Sequence, residues 1–117
     1  MRPNKNKMHA LKKCRWPVEK ACKWYNTQPW TLGFNYIPGY AVNFTEMWQK
    51  NIFDPKVIDR ELKWAANIGF NTFRTIMQFL VWKDDNQGFE ERFEHLLEIA
   101  ERHRLKVMPC HFDDCSF

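Results

Sequence analysis

The chain has 117 residues, which is enough for one small domain with its own hydrophobic core. The aromatic share of 16%, with six Trp and ten Phe, predicts a large aromatic core or a cleft lined by flat rings. The net charge of +4 is uneven, because residues 1–30 carry eight Lys and Arg against one acidic residue and the remainder is slightly acidic.

These features disfavour several classes of protein. The cysteines at 14, 22, 110 and 115 match neither a Cys-x-x-Cys zinc or redox motif nor a disulfide framework. Residues 1–15 contain no continuous apolar run, so we expect no secretory signal and no membrane span, and the default compartment is cytoplasmic. No nucleic-acid-binding motif accompanies the basic segment, which favours a solvated tail over a basic interaction module. No Gly-rich phosphate loop is present, and no cofactor is predicted.

The first part of the chain contains a basic lead, a helix and a strand. Residues 1–15 are predicted to be a disordered basic lead, and residues 16–117 to be the N-terminal portion of a larger domain. Pro17 suits the first turn of a helix, and four apolar residues then recur on one helical face. They are Val18, Ala21, Cys22 and Tyr25. Residues 32–37 predict a first strand, which the Pro38-Gly39 turn pair ends.

The middle of the chain predicts a loop, a helix and a second strand. Residues 40–53 form the loop, with room for one helical turn. Asp54-Pro55 is a cap followed by a first-turn proline, and Gly69 is a helix terminator. The inner face of the helix between them is formed by Ile58, Leu62 and Ala65. Residues 71–77 predict the second strand.

The last part of the chain completes an alternating order of helices and strands. Residues 78–88 are predicted to be a loop, and residues 105–112 a third strand. Between them, apolar residues recur at helical spacing. They are Phe89, Phe93, Leu96, Leu97 and Ala100. Strands that alternate with long helices indicate an α/β fold with a parallel sheet, here the first three βα units of a (β/α)8 barrel preceded by one N-terminal helix.

Arg74 is the most informative single residue, because it lies within the second predicted strand. A buried charge in a strand requires an anionic partner. Asp113 and Glu46 are candidates for a structural ion pair, and a carboxylate outside these residues is the functional alternative.

Functional groups of parallel barrels gather at the carboxyl ends of the strands. That rule collects a polar set rimmed by aromatic residues, which is the composition of a carbohydrate cleft. The set comprises Asn35, Tyr36, Trp48, Arg74, Gln78, His111, Asp113 and Asp114. Trp48 and Trp82 are equally consistent with core positions, and Asp113 and Asp114 with a helix cap. Cys110, His111, Asp113 and Cys115 resemble metal ligands, but their spacing favours a structural cluster, so no metal is predicted.

Several motifs together resemble those of bacterial cellulase-like glycoside hydrolases of the family-5 type, which are retaining barrel enzymes often described as endoglucanases or β-1,4-xylanases. The motifs are WTLGFNYIP at residues 30–38, EMW at 46–48, FDP at 53–55, DREL at 59–62, GFNTFR at 69–74 and FDDC at 112–115. The resemblance covers residues 16–115. It implies a polysaccharide or oligosaccharide substrate with β-linkages, no cofactor and a parent enzyme that is often secreted or periplasmic.

The resemblance also assigns roles to residues. It implies that Arg74 steadies a nucleophilic glutamate and that Asp113 contacts substrate, with Asn35 and Trp48 near the cleft. It places the acid/base and nucleophilic glutamates beyond Phe117, so these residues alone are expected to be inactive.

Two residues depart from the pattern of that family. Pro109 lacks an amide donor within a strand that should be interior, and His111 replaces an aliphatic residue. Both departures indicate relaxed constraint or local divergence in the last strand, or a reading-frame problem near the end. The alternative function, a noncatalytic carbohydrate-binding remnant, is based on the Trp-rich rim of the predicted cleft.

Overall fold

The computed structural model describes residues 15–113 and divides into two compact units, Met1–Trp30 and Thr31–Phe117. In the first unit, helix α1 spans Val18–Asn26, so the predicted helix is present, and Pro17 lies at its N-cap rather than in its first turn. The apolar face predicted for this helix is exposed. The predicted basic lead, residues 1–15, lies outside the described residues except for Arg15.

Residues 31–113 of the second unit contain three strands and four helices. In chain order they are β1 (Gly33–Asn35), α2 (Phe44–Met47), α3 (Pro55–Asn67), β2 (Thr72–Ile76), α4 (Phe79–Asp84), α5 (Asn86–Arg102) and β3 (Lys106–Cys110). The strands form one parallel sheet in the order β1-β2-β3. This confirms the prediction of an α/β fold with a parallel sheet, at the level of three adjacent strands.

Helix α3 begins and ends where the sequence predicts. The Asp54 carboxylate accepts hydrogen bonds from the amides of Lys56 and Val57, at 2.9 and 3.2 Å, which satisfies donors that the first turn leaves free. Gly69 follows the helix with a φ of +105°, a conformation that costs a glycine little.

The prediction of a loop over residues 78–88 is wrong. Helix α4 occupies Phe79–Asp84, and α5 already begins at Asn86. The Asp85 side chain caps α5 by accepting a hydrogen bond from the Gly88 amide at 3.1 Å. Val81 is buried against the rest of the unit, so packing stabilises a helix that is too short to show a clear period in the sequence.

The core lies on one face of the sheet. It contains the predicted inner residues of α3, namely Ile58, Leu62 and Ala65, together with Leu96, Ile99 and Ala100 of α5. Leu97, predicted to face inward, is 39% exposed, and Ile99 takes the inner position instead. Phe73 of β2 is buried against these helices, so the helices cover the sheet face on which Phe73 lies.

Pro109 does not interrupt the sheet. The amide of Lys106 donates to the Asn71 carbonyl and the Cys110 carbonyl accepts from the Met77 amide, each at 2.9 Å. Because the hydrogen-bonding direction alternates along a strand, the nitrogen of Pro109 faces away from β2. Within the described residues β3 is an edge strand, where a proline removes no hydrogen bond to β2.

A charged cluster joins the middle of α3 to the end of α5. The Asp59 carboxylate contacts His103 Nε2 at 2.8 Å and accepts a hydrogen bond from Arg102 at 2.9 Å. The hydrogen bond with His103, more than the nearby positive charges, holds the pKa of Asp59 below its usual range.

We expect this cluster to stabilise the fold above about pH 4 and to lose its effect in acid. The folded-state pKa of Asp59 is depressed, so its contribution is present above the unfolded pKa and is lost as the pH falls through the folded one. The loss in the free energy of unfolding should not exceed about 1 kcal/mol, because these side chains are partly exposed. In urea, the free energies of unfolding of Asp59→Asn and the wild type should differ at pH 7 and converge near pH 2. A difference that stays the same at both pH values would contradict this prediction.

Candidate functional site

The open face of the sheet, which lies opposite the helices, carries two of the predicted site residues. Side chains alternate along a strand, so Phe73 and Thr75 are buried while Arg74 between them is exposed. The prediction that Arg74 lies on a buried side is therefore wrong for the described residues. Because water can reach its guanidinium, Arg74 does not require a carboxylate partner to offset the cost of burying a charge.

Arg74 is nevertheless held in a defined position. Its Nε donates a hydrogen bond to Asn35 Oδ1 at 2.9 Å, and the two residues are register partners on adjacent strands. This contact restrains the planar, forked guanidinium beside Asn35. Such a planar fork suits a carboxylate, which it can bind through two parallel hydrogen bonds.

Trp48 is a core residue rather than a substrate-stacking residue. Its side chain is 0% exposed and packs against Phe53, Phe89 and Phe93, with ring centroids 5.1–6.1 Å apart. Its indole nitrogen donates a hydrogen bond to the Ile76 carbonyl at 2.8 Å, just where β2 ends. No ring face is left for a sugar, so the interpretation of Trp48 as a cleft residue is corrected.

The remaining predicted residues lie at several positions. Asp113 is exposed and follows β3, whereas Asp114 and Cys115 lie outside the described residues. Glu46 accepts a hydrogen bond from the Val42 amide at 2.8 Å and so stabilises the start of α2. Within residues 15–113, no group of three or more His, Cys, Asp or Glu side chains is placed to hold a metal ion.

Among residues 15–113, no helix combines the length and the apolar character that crossing a bilayer requires.

A cavity of about 530 Å³ lies at the carboxyl ends of β2 and β3, and we call it the aromatic groove. It is lined by Met77, Gln78, Phe79, Trp82, Phe89, Glu90, Phe93, His111 and Phe112. The rings of Phe79 and Trp82 stack with centroids 5.8 Å apart and an interplanar angle of 29°. Trp82 Nε1 donates a weak hydrogen bond to Glu90 Oε1 at 3.4 Å.

A tyrosine and a glutamate hold the loop that follows β1. Tyr36 is buried, and its hydroxyl donates to Glu61 Oε2 at 2.9 Å, while the Gly39 amide donates to Glu61 Oε1 at 3.0 Å. Burial, and then the bond to Glu61, raises the pKa of Tyr36 far above its ordinary value. Burial also raises the pKa of Tyr40 to about 12. Both phenols therefore stay protonated and act as donors at neutral pH.

Sequence reasoning found part of the aromatic groove and missed the rest. Gln78, His111 and Trp82 were candidates, whereas Phe79 and Glu90 were not. The available signal was the spacing of Phe79 and Trp82, which is one helical turn, but residues 78–88 were predicted to be a loop. Comparisons of the chain with protein-family models, with curated proteins and with solved structures found no match.

Proposed function

We propose that this chain is part of a retaining glycoside hydrolase acting on β-linked polysaccharide, of the endoglucanase or β-1,4-xylanase kind. The observation that supports this most directly is the Arg74–Asn35 contact of 2.9 Å on the open face of a parallel sheet. In a (β/α)8 barrel that face would line the interior, where a guanidinium can orient a catalytic carboxylate and lower its pKa. The motifs at residues 30–38 and 69–74 support the same assignment.

In this proposal the described residues supply a supporting cation rather than the catalytic pair. Retaining hydrolysis requires an acid/base and a nucleophile about 5 Å apart. Arg74 would hold the nucleophile ionised, and Asn35 would keep the guanidinium in place. Both catalytic glutamates are proposed to come from residues that follow Phe117 in the parent enzyme.

We expect residues 1–117 alone to release no reducing sugar from carboxymethylcellulose, xylan or mannan. The same chain extended through its downstream coding sequence is expected to hydrolyse at least one of them. In that extended enzyme, Arg74→Ala should lower kcat/KM by about a hundredfold or more, as for other preorganised charges at an active site. Arg60→Ala, on the exposed surface of α3, is the matched control. Hydrolysis by residues 1–117, or an unchanged Arg74→Ala enzyme, would refute the proposal.

A noncatalytic carbohydrate-binding protein is the second candidate. The aromatic groove favours it, because aromatic rings stack on sugar faces without needing the catalytic pair. Binding of glycan by the chain, combined with an extended chain that hydrolyses none of the three polysaccharides, would select this alternative.

A further inference from the structure

Helix α1 has an apolar side that is exposed to solvent. Side chains three and four residues apart share one side of a helix, and this spacing groups five apolar residues of α1. They are Val18, Ala21, Cys22, Trp24 and Tyr25. None of the nine residues of α1 is buried, and Val18, Trp24 and Tyr25 are 66%, 52% and 72% exposed. A helix with this pattern ordinarily covers its apolar side by packing, so α1 has the character of a docking surface.

The opposite side of α1 is polar and basic. It carries Lys20 and Lys23, together with Glu19 and Asn26. The ammonium group of Lys20 lies 4.4 Å from the centroid of the Trp16 ring, just before the helix begins. Lysine side chains can lie along apolar surface while they keep their charge in water. The helix therefore separates an aromatic and aliphatic side from a basic side.

The sequence around α1 adds to this positive charge. Residues 1–30 contain eight Lys and Arg and one Glu, a net charge of +7. The sequence-based prediction of a solvated tail accounts for the charge, but it does not account for the exposed Val, Trp and Tyr side chains. An amphipathic helix with basic residues on one side and aromatic residues on the other is typical of segments that lie on an anionic lipid surface.

Other partners match fewer of these features. Nucleic acid would neutralise the lysines and could stack on Trp24 and Tyr25, but it offers no apolar environment to the aliphatic Val18. A second copy of the chain would bring a second segment of charge +7 close to the first, which is unfavourable. An anionic bilayer surface offers acyl chains to Val18, the interfacial region to Trp24 and Tyr25, and headgroups to the lysines.

We propose that α1 docks the protein on the surface of an anionic lipid membrane. Val18, Trp24 and Tyr25 insert at the boundary between headgroups and acyl chains, and Lys20 and Lys23 lie at the level of the headgroups. The helix lies in the surface and does not span the bilayer. This attachment uses neither the open face of the sheet nor the aromatic groove, so it is independent of the proposed function.

Cosedimentation of residues 1–117 with phospholipid vesicles measures this binding. The chain should bind vesicles of equal parts phosphatidylcholine and phosphatidylserine at least about tenfold more tightly than vesicles of phosphatidylcholine alone, and added salt should weaken the binding. Trp24→Ala should weaken it about tenfold, because an inserted ring is lost. Lys23→Glu should weaken it by about tenfold or more, because a charge near the headgroups is reversed. Since α1 buries no residue, both variants should keep the far-UV circular dichroism of the wild type.

Two changes on α3 are the matched controls. Trp64→Ala removes a ring that is 57% exposed, against 52% for Trp24. Lys63→Glu, also at an exposed position, changes the net charge of the chain by the same amount as Lys23→Glu. Both controls should bind the vesicles nearly as tightly as the wild type. Absence of binding to the phosphatidylserine vesicles, or an equal loss in the α1 and α3 variants, would overturn the proposal.

Three further results would assign α1 to another partner, and each would overturn the proposal. The first is binding of a fluorescent single-stranded oligonucleotide that Trp24→Ala and Lys23→Glu weaken, without binding to vesicles. The second, in sedimentation velocity, is a dimer of residues 1–117 that Trp24→Ala dissociates, again without vesicle binding. The third is vesicle binding by residues 1–117 that the chain extended through its downstream coding sequence lacks, because downstream residues would then cover α1.

Discussion

Replacing Trp48 by alanine is expected to lower the free energy of unfolding by about 3–5 kcal/mol, the range for truncating a large buried aromatic residue. The side chain is fully buried, stacks on Phe53 at 6.1 Å and packs against Phe89 at 5.1 Å. It joins the loop before α3 to the start of α5. The change would leave a cavity between these elements and would free the Ile76 carbonyl that accepts the indole hydrogen bond. Since small domains are stable by only about 5–15 kcal/mol, the change should remove a large share of the free energy of unfolding.

Urea unfolding followed by far-UV circular dichroism measures this effect, and two variants separate its causes. Trp64→Ala removes the same side chain from an exposed position and should change stability by no more than about 0.5 kcal/mol. Trp48→Phe keeps most of the packing but removes the indole donor, so it should cost about 1–3 kcal/mol for the unpaired carbonyl. If Trp48→Ala unfolded at the same urea concentration as Trp64→Ala, the assignment of Trp48 to the centre of the core would be wrong.

Local signals predicted the longer elements of this fold well. Asp54, Pro55 and Gly69 mark the ends of α3 through capping and positive φ, which depend only on neighbouring residues. The parallel order of the three strands follows from their alternation with helices. Helix α4 could not be predicted in this way, because its six residues are stabilised by packing against α5 rather than by their own periodicity.

The candidate site depended on information that no short segment contains. Alternation in β2 predicts that Arg74 lies opposite Phe73 and Thr75, but it does not tell which face the helices cover. The environment of Trp48 depends on distant residues, because its indole donates to the Ile76 carbonyl 28 residues away and its ring packs against Phe89. The aromatic groove combines residues from α4, α5 and the segment after β3, so only the folded chain brings Phe79, Glu90 and His111 to one cavity.

Replacing Glu61 by alanine is expected to cost about 1–3 kcal/mol, more than its half-buried position suggests. Its carboxylate accepts hydrogen bonds from the buried Tyr36 hydroxyl and from the Gly39 amide, so the change leaves two donors without this acceptor. The Gly39 position accommodates this contact, because a Cβ there would lie 2.8 Å from Glu61 Oε1. Thermal or urea unfolding measures the loss, and Glu94→Ala, on the exposed side of α5, is the matched helical control.

A double-mutant cycle shows whether the buried Tyr36 hydroxyl is the reason that Glu61→Ala destabilises the fold. In a Tyr36→Phe background that hydroxyl is gone, so Glu61→Ala should cost less than in the wild type, with a coupling free energy of about 0.5–3 kcal/mol. If Glu61→Ala lowered the free energy of unfolding equally in both backgrounds, the lost hydrogen bond from the Gly39 amide alone would explain the destabilisation.

Tyr36 directly follows Asn35, and its amide donates to the Arg74 carbonyl at 2.8 Å. Releasing Tyr36 should therefore also loosen the Asn35–Arg74 contact. In the proposed hydrolase, Glu61→Ala should then lower kcat/KM although Glu61 lies on the opposite side of the sheet from Arg74.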